Sequence, residues 1–440
     1  MPENASGGSS SSSSLLIRSK NPRRCQAENP LKLLSEFAGP ALYDDQWRNA
    51  PEAYPLSLSM PIAAKEHGRA AVEAFLWGLL PDNEQVLARW AAKFQVSARN
   101  VFALISHVGE DCAGAVQFVT PERLEAIRSG KEDKVEWLDE AELAKRLQAL
   151  REDHAAWRLP RDTGQFSLAG AQPKTALLLQ NDRWGIPSGR IPTTHILKPP
   201  TGHFDGHAEN EHICLMLARN LGLPAAQSKV RRFKDEVAIV VERYDRQQKG
   251  NDIIRVHQED TYQALGIMPT KKYQNEGGPS ATNIIDLLRT YSTDRDTDLD
   301  TFVTALGFNW LIAGTDAHAK NYSLLLSGPD VRLAPLYDIA SILPYDEVDL
   351  RKAKLAMKIG GEYKVELIGL RQWQKFARDV RTNADQLIEV LISMAKHLPD
   401  EVAVARALAR EEGLNNALID RLAKQLIDRA HECQRSLGGT

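Results

Sequence analysis

Between residues 165 and 245 the hydrophobic pattern consists of short apolar or β-branched runs broken by Gly and Pro. After about residue 280 it becomes helical. Thr175 to Leu179, Trp184 to Ile186, Thr194 to Lys198 and Val237 to Val241 carry the strand signal. One helix interrupts them, Ala208 to Leu221, stopped by Gly222 and Pro224. Beyond it, Ile284 to Tyr291, Leu299 to Ala313, Ala384 to His397 and two closing segments up to Arg435 repeat at helical spacing. A small hairpin, Tyr322 to Leu326 and Val331 to Leu333, sits among them. Sheet first and helices second predicts an α+β chain of two lobes with a cleft between them.

What precedes the sheet divides in two. Residues 1–35 contain an unbroken serine run, Ser9 to Ser14, and a polar stretch with Arg18, Lys20, Arg23 and Arg24. That composition predicts a flexible tail, because it cannot bury enough apolar surface to offset chain entropy. Residues 36–160 read as a mixed accessory region. Val72, Phe75, Leu76 and Leu79 recur at helical spacing, and a second helix starts at Asp139 as N-cap and runs through Leu143, Leu147 and Leu150. The remaining divisions are a sheet at 161–245 and a mainly helical lobe at 246–440.

Composition narrows the function classes. The chain has 440 residues, 43% apolar and 26% charged, with a net charge of −3, which argues against bulk affinity for nucleic acid. Its longest apolar stretches, such as Ala74 to Leu80, are far shorter than the ~20 residues of a membrane span. With no secretion signal at the start, a cytoplasmic protein without membrane contact is expected. Cys25, Cys112, Cys214 and Cys433 are scattered, so neither a disulfide scaffold nor a cysteine-based zinc site is expected.

The stretch Gly314-Thr-Asp-Ala-His-Ala-Lys-Asn-Tyr-Ser323 carries most of the chemistry. Asp316 and Asn321 stand five apart, the spacing at which an aspartate accepts a hydroxyl proton and an asparagine holds magnesium. His318 between them gives Asp-x-His-x-x-Asn, similar to lipid kinases. Asp338, 22 residues after Asp316, follows the hairpin and would return beside Asn321 as a second metal ligand. Magnesium takes carboxylate and amide oxygens, and phosphoryl transfer needs it to neutralise phosphate charge. Each residue alone is better read as a turn cap; the ordered set of three is not.

The opposite wall is expected from the sheet. Ser167-Leu-Ala-Gly-Ala-Gln-Pro-Lys174 is a small-residue loop in which Ala169, Gly170, Ala171 and Gln172 would let backbone amides approach phosphate. Lys198 ends a strand and would reach phosphate, with Glu211 on the following helix as its partner. Glu242, Tyr244 and Asp245 follow a strand at the place of a hinge that reads adenine.

Taken together these motifs resemble one family. Ser-Leu-Ala-Gly-Ala-Gln-Pro-Lys at 167–174, Thr-Thr-His-Ile-Leu-Lys-Pro at 193–199 and Val-Glu-Arg-Tyr-Asp-Arg at 241–246 are similar to HipA-type toxins. So are His-Gln-Glu-Asp at 257–260, Asp-Ala-His-Ala-Lys-Asn at 316–321 and Pro-Leu-Tyr-Asp-Ile at 335–339. Tyr54 to Pro61 and Gly78 to Asp82 match the family's N-terminal region.

The resemblance implies a two-lobed protein-kinase-like fold, near the lipid kinases, and an ATP- and Mg2+-dependent serine/threonine kinase. In it Asp316 would be the base, with His318 and Asn321 beside it, and Asn321 and Asp338 would hold the metal. Lys198 and Lys320 would face ATP, Glu242 and Tyr244 would line the adenine site, and Ser167 would be autophosphorylated to switch the enzyme off. It also implies a HipB-like helix-turn-helix antitoxin, operator DNA bound through that complex, and an aminoacyl-tRNA synthetase substrate, notably glutamyl-tRNA synthetase. The serine-rich start departs from the family, whose members open on a short β-strand meander.

Two other readings use the same residues. A small-molecule phosphotransferase shares the Asp-to-Asn spacing but would lack the Ser167 switch. A catalytically silent co-repressor module would not need Asp316, Asn321 and Asp338 intact.

Overall fold

The computed structural model describes residues 13–18, 31–35, 41–156, 166–200, 206–250 and 252–438. Its first strands are β1 Ser13–Arg18, β2 Leu31–Ser35, β3 Ala41–Leu42, β4 Glu66–His67 and β5 Gln117–Val119. They form one antiparallel sheet in the order β4-β3-β2-β1-β5. This corrects the expected tail: inside residues 1–35, Ser13–Arg18 and Leu31–Ser35 pair, with Leu15 opposite Leu33. The serine run masks the apolar triplet Leu15-Leu16-Ile17 that follows it, and a six-residue strand needs no more than that. The meander that the sequence seemed to lack is therefore present.

The second sheet holds β6 Lys134–Leu138, β7 Thr175–Gln180, β8 Arg183–Ser188, β9 His195–Lys198, β10 Ser228–Phe233 and β11 Glu236–Glu242. Their order is β10-β11-β9-β7-β8-β6. The β7–β8 hairpin turns on Asn181 and Asp182, both with positive φ, as a two-residue turn matched to strand twist requires. β6 and the helix Glu140–Glu152 belong to this sheet, so the division at residue 160 cuts through it. That helix opens on a capping box between Asp139 and Glu142, and its Leu143 and Leu147 pack with Leu177, Trp184 and Leu197. β10, unforeseen, is an edge strand whose Lys229, Arg231 and Arg232 hide its apolar period.

On the sheet's other face lies the helix His207–Asn220, almost wholly buried, which joins it to the helical lobe. That lobe contains Ala281–Tyr291, Arg295–Leu311, Leu370–Asp379, Ala384–Glu411 and Ala417–Ser436. Between the lobes run β12 Arg246–Lys249, β13 Asp252–Arg255 and β14 His257–Asp260. β14 pairs with β15 Ser323–Ser327, and β15 with β16 Asp330–Leu333. Among the described residues no helix is long and apolar enough to cross a membrane.

A buried charge cluster fastens the accessory region to the sheet lobe. The Asp111 carboxylate accepts from Thr193 N (3.0 Å) and Oγ1 (2.6 Å), Arg246 (3.0 Å) and Arg255 (3.0 Å). Arg243 and Arg246 also grip Asp245, whose Oδ2 takes the Gly114 amide at 2.7 Å. Burial alone would raise the Asp111 carboxyl, but Arg246, Arg255 and Arg243 hold it well below the usual carboxylate range.

A second seam joins the accessory region to β14. Leu58 N donates to Glu259 Oε1 (2.8 Å), His257 Nε2 lies 2.8 Å from Leu56 O, and Ser57 Oγ donates to Gln263 O (3.0 Å). Gly78 permits the approach: a Cβ there would sit 2.5 Å from the Gln263 side chain.

Burial pushes Glu259 up from 4.5 to about 8, so the native state holds a proton that the unfolded chain releases at lower pH. This contribution is full below about pH 4.5 and is lost as pH rises to about 8. Urea midpoints measured near pH 5 and pH 9 should therefore fall more for the wild type than for Glu259→Gln. An equal fall in both would remove Glu259 as the titrating group.

Candidate active site

A cavity of about 500 Å3 opens between the sheet lobe and the helical lobe. Its upper wall is the strand end at Lys198 and the loop 168–174, and its lower wall is formed by Asp316 to Asn321 and Asp338.

Lys198 leaves β9 at a residue paired with Ile239 of β11, so the sheet fixes its backbone. Its Nζ donates to Glu211 Oε1 (2.8 Å) and to Asp338 Oδ1 (2.8 Å), linking the sheet, the joining helix and the far wall. Burial would lower this ammonium, but Asp338 and Glu211 hold it well above the usual lysine range. Partial burial likewise opposes ionisation of Asp338, and Lys198 with Lys174 keeps its carboxyl well below the usual range.

Asp338 has φ of 58°, a left-handed conformation that Asp tolerates better than most residues. The turn is held by Leu336, whose N donates to Pro224 O (2.8 Å) and whose O accepts from Ala226 N (2.8 Å).

The lower wall follows the helix Arg295–Leu311. Gly314 N donates to Asn309 O at 2.7 Å, and a short 3-10 turn, Ala319–Asn321, then presents its side chains. Asn321 Nδ2 lies 3.4 Å from both Asp338 Oδ2 and Asp338 O, so the expected return of Asp338 beside Asn321 is present. The Asn321 Oδ1 is buried with no hydrogen-bond partner. A bare amide oxygen beside a carboxylate is the donor set magnesium takes when phosphate and water complete its shell. Among the described residues no group of three His, Cys, Asp or Glu side chains could hold a metal alone.

Asp316 is the exposed member of the set, with 64% of its side chain accessible at the cavity mouth. Tyr273 OH donates to its Oδ1 at 2.7 Å. His318 lies behind, buried, with its Nε2 4.0 Å from Asp316 Oδ1 and neither ring nitrogen hydrogen-bonded. Burial lowers the His318 pKa, so the ring is neutral near pH 7. Lys320 points under the loop 168–174 and donates to Asp82 Oδ1 at 2.5 Å.

Ala169, Gly170, Ala171 and Gln172 all line the cavity. Gly170 has φ of 101°, and a Cβ on it would stand 2.5 Å from Lys174 Nζ. Lys174 donates to Ala169 O (2.7 Å), and burial together with the Lys198 charge brings it down to about 8. Ser167 does not reach the cavity: it is fully buried, its Oγ donating to Leu79 O (2.7 Å) and its N to Asp111 O (3.1 Å). Tyr244 and Glu242 line the far end, Tyr244 bonding Gln258 and lying 5.8 Å from the Tyr337 ring. Asp245 borders the cavity, yet its carboxylate is engaged by Arg243, Arg246 and Gly114 and is not presented to a nucleotide.

Sequence reasoning missed Asp82, Lys174 and Tyr273 as site residues. Lys174 was within a motif read only for its small residues. Asp82 lies far away in the chain, and Tyr273 sits in a loop without periodicity.

A cleft with a paired lysine above and an Asp-x-His-x-x-Asn loop with a returning aspartate below defines a two-lobed, kinase-like α+β fold. Comparison with known proteins agrees. The profile of the HipA-like C-terminal domain matches residues 166–402, and that of the HipA N-terminal domain matches residues 40–119. The Sinorhizobium fredii protein Y4mE is 35% identical over 397 residues, 88% of this chain and 91% of that one. The serine/threonine-protein kinase toxin HipA of Shewanella oneidensis is 29% identical over 413 residues, 90% of each chain. Shewanella oneidensis MR-1 HipA, solved with HipB and operator DNA, superposes with a TM-score of 0.77 and 25% identity, covering 97% of this chain and 98% of that one. The chain belongs to the HipA family of kinases.

Replacing Lys198 with Met leaves Glu211, whose side chain is 1% exposed, as a buried carboxylate without its cation. The expected loss is about 3 kcal/mol of unfolding free energy in urea titration at neutral pH. An unchanged midpoint would show that the pair contributes no net stability.

Proposed function

We propose that this chain is an ATP- and Mg2+-dependent serine/threonine protein kinase acting as the toxin half of a toxin–antitoxin pair. The observation that carries the reading is Lys198, held between Glu211 and Asp338 in the same cavity as the bare Oδ1 of Asn321.

In this reading Asp316, exposed at the cavity mouth, accepts the proton of the attacking serine or threonine hydroxyl, and Tyr273 holds its orientation. Asn321 and Asp338 hold the metal, Lys198 and the loop 169–172 hold phosphate, and Tyr244 with the Glu242 backbone borders adenine. When bound, the magnesium nucleotide supplies the phosphoryl group and neutralises its charge. Burial lowers the His318 pKa, so the ring beside Asp316 is neutral near pH 7.

Ser167 is the proposed autophosphorylation site. Reaching the cleft requires breaking its bonds to Leu79 and Asp111, and a phosphate of nearly two negative charges would not re-enter that buried position. Modification therefore holds the loop out and the enzyme off. The Shewanella complex supports a HipB-like helix-turn-helix antitoxin and operator DNA as partners here. Family resemblance supports a cytoplasmic aminoacyl-tRNA synthetase, glutamyl-tRNA synthetase foremost, as substrate.

The test is intact mass after incubation with ATP and magnesium, wild type beside Asp316→Asn. The wild type should gain about 80 Da on a peptide containing Ser167, and Asp316→Asn should slow that gain by about 10²–10⁴-fold. Transfer to a sugar or aminoglycoside without labelled protein would overturn the protein-kinase reading.

A further inference from the structure

Asp82 lies outside both lobes of the cleft, in the accessory region, between the helices Arg69–Gly78 and Glu84–Phe94. Its backbone and its side chain nevertheless touch the two loops that must face each other for phosphoryl transfer. The Asp82 amide donates to Gly170 O (3.1 Å), and Pro81 forms a parallel bridge with Gly170. The Asp82 carboxylate takes the Lys320 ammonium at 2.5 Å, beneath that same loop. Both side chains are withdrawn from solvent, 4% exposed for Lys320 and 14% for Asp82.

Among the described residues this is the one ion pair Lys320 makes. The Asp82 Oδ2 is buried and makes no hydrogen bond, so Lys320 is the one side chain hydrogen-bonded to this carboxylate among the described residues. Lys320 also carries its neighbours. Its carbonyl accepts from Tyr337 OH (2.7 Å), and Asn321 and Asp338 follow these two residues in the chain. A displaced ammonium has an alternative close by: Asp260 lies in the same cavity wall, where burial raises its carboxyl to about 6 and the nearby Lys320 charge opposes that rise.

We infer that Asp82 is a positioning residue for phosphoryl transfer, aiming the Lys320 ammonium at the cleft while clamping the phosphate loop above it. The role rests on the kinase reading given above. It makes the accessory region a working part of the active site: one carboxylate from outside the catalytic lobes sets the register of the phosphate loop on the catalytic loop. Without that carboxylate Lys320 turns toward Asp260, and Asn321 shifts with it.

The test is a double-mutant cycle on the full chain with Asp82→Asn, Lys320→Met and both together. It reads kcat for phosphate transfer, the Kd of a fluorescent ATP analogue, and melting temperature. Asp82→Asn should lower kcat about 10–100-fold, the scale of a misplaced reacting group, with Kd within about threefold. The double variant should be no slower than Lys320→Met alone, because Asp82 acts through Lys320. Asp82→Glu, which restores the carboxylate, should recover part of the rate.

Wild-type kcat in Asp82→Asn, or losses that multiply in the double variant, would overturn the inference while leaving the kinase reading intact. A wild type that transfers no phosphate to any acceptor would remove the kinase reading, and the inference with it. Should Asp82→Asn not fold, Lys320→Met alone decides: a kcat loss at constant Kd supports the role, and wild-type kcat overturns it.

Discussion

Three buried arginines and two buried aspartates hold the catalytic cleft to the rest of the chain. Asp111 belongs to the accessory region, Arg243 and Asp245 to the connector after β11, Arg246 to the start of β12 and Arg255 to the end of β13. Taking five charges out of water is costly, and the attraction between them repays it only where the geometry is good and every lone pair is used. Here each carboxylate oxygen is bonded, and Thr193 and Gly114 complete the set. Such a cluster specifies one arrangement more than it adds stability, because removing any member strands the others in a dry interior. The backbone of Asp111 also takes the Ser167 amide, so the same residue fixes the start of the loop 168–174.

From that anchor the site assembles by charge. Lys198 on the sheet side faces Asp338 and Glu211; burial alone would neutralise Lys198 and Asp338, and their opposite charges hold both ionised. The Lys198 link spans the cleft directly, and a second one, from Asp82 to Lys320, spans it from the accessory side. Both lobes are thereby set at a working separation by side chains, with the loop 168–174 resting on backbone contacts to Leu79, Pro81 and Asp82.

Much of this was legible in the sequence, for physical reasons. β7, β8, β9 and β11 are interior strands with continuous apolar runs, and they were read correctly. The helix from Asp139 and the one ending before Gly222 announced themselves by cap and stop. Asp316, Asn321 and Asp338 were picked out because phosphate chemistry would need them in that order around a hairpin, and the fold places all three on the cavity wall. The sequence concealed what depends on partners far along the chain. β10 reads as polar because it is an edge, and β1 because a serine run adjoins it. Asp245 resembles a hinge residue until its arginines are seen, and Asp82 resembles any loop aspartate until Lys320 is found beneath it. The motif around Ser167 led to the expectation that it faces the cleft, and the fold shows it buried against Leu79 and Asp111.

The seam between accessory region and catalytic lobes also bears on where this chain can be divided. A fragment beginning at the catalytic profile, near residue 166, would keep Arg243, Arg246 and Arg255 but lose Asp111. It would keep Glu259 and Gln263 but lose Leu58 and the Phe75 carbonyl that takes the Gln263 amide. Its loop 168–174 would lose the contacts to Leu79, Pro81 and Asp82. The unit the family profile marks and the unit the buried contacts hold together therefore differ: the first starts at residue 166, whereas the second reaches back through Asp111 and Phe75 to Leu58.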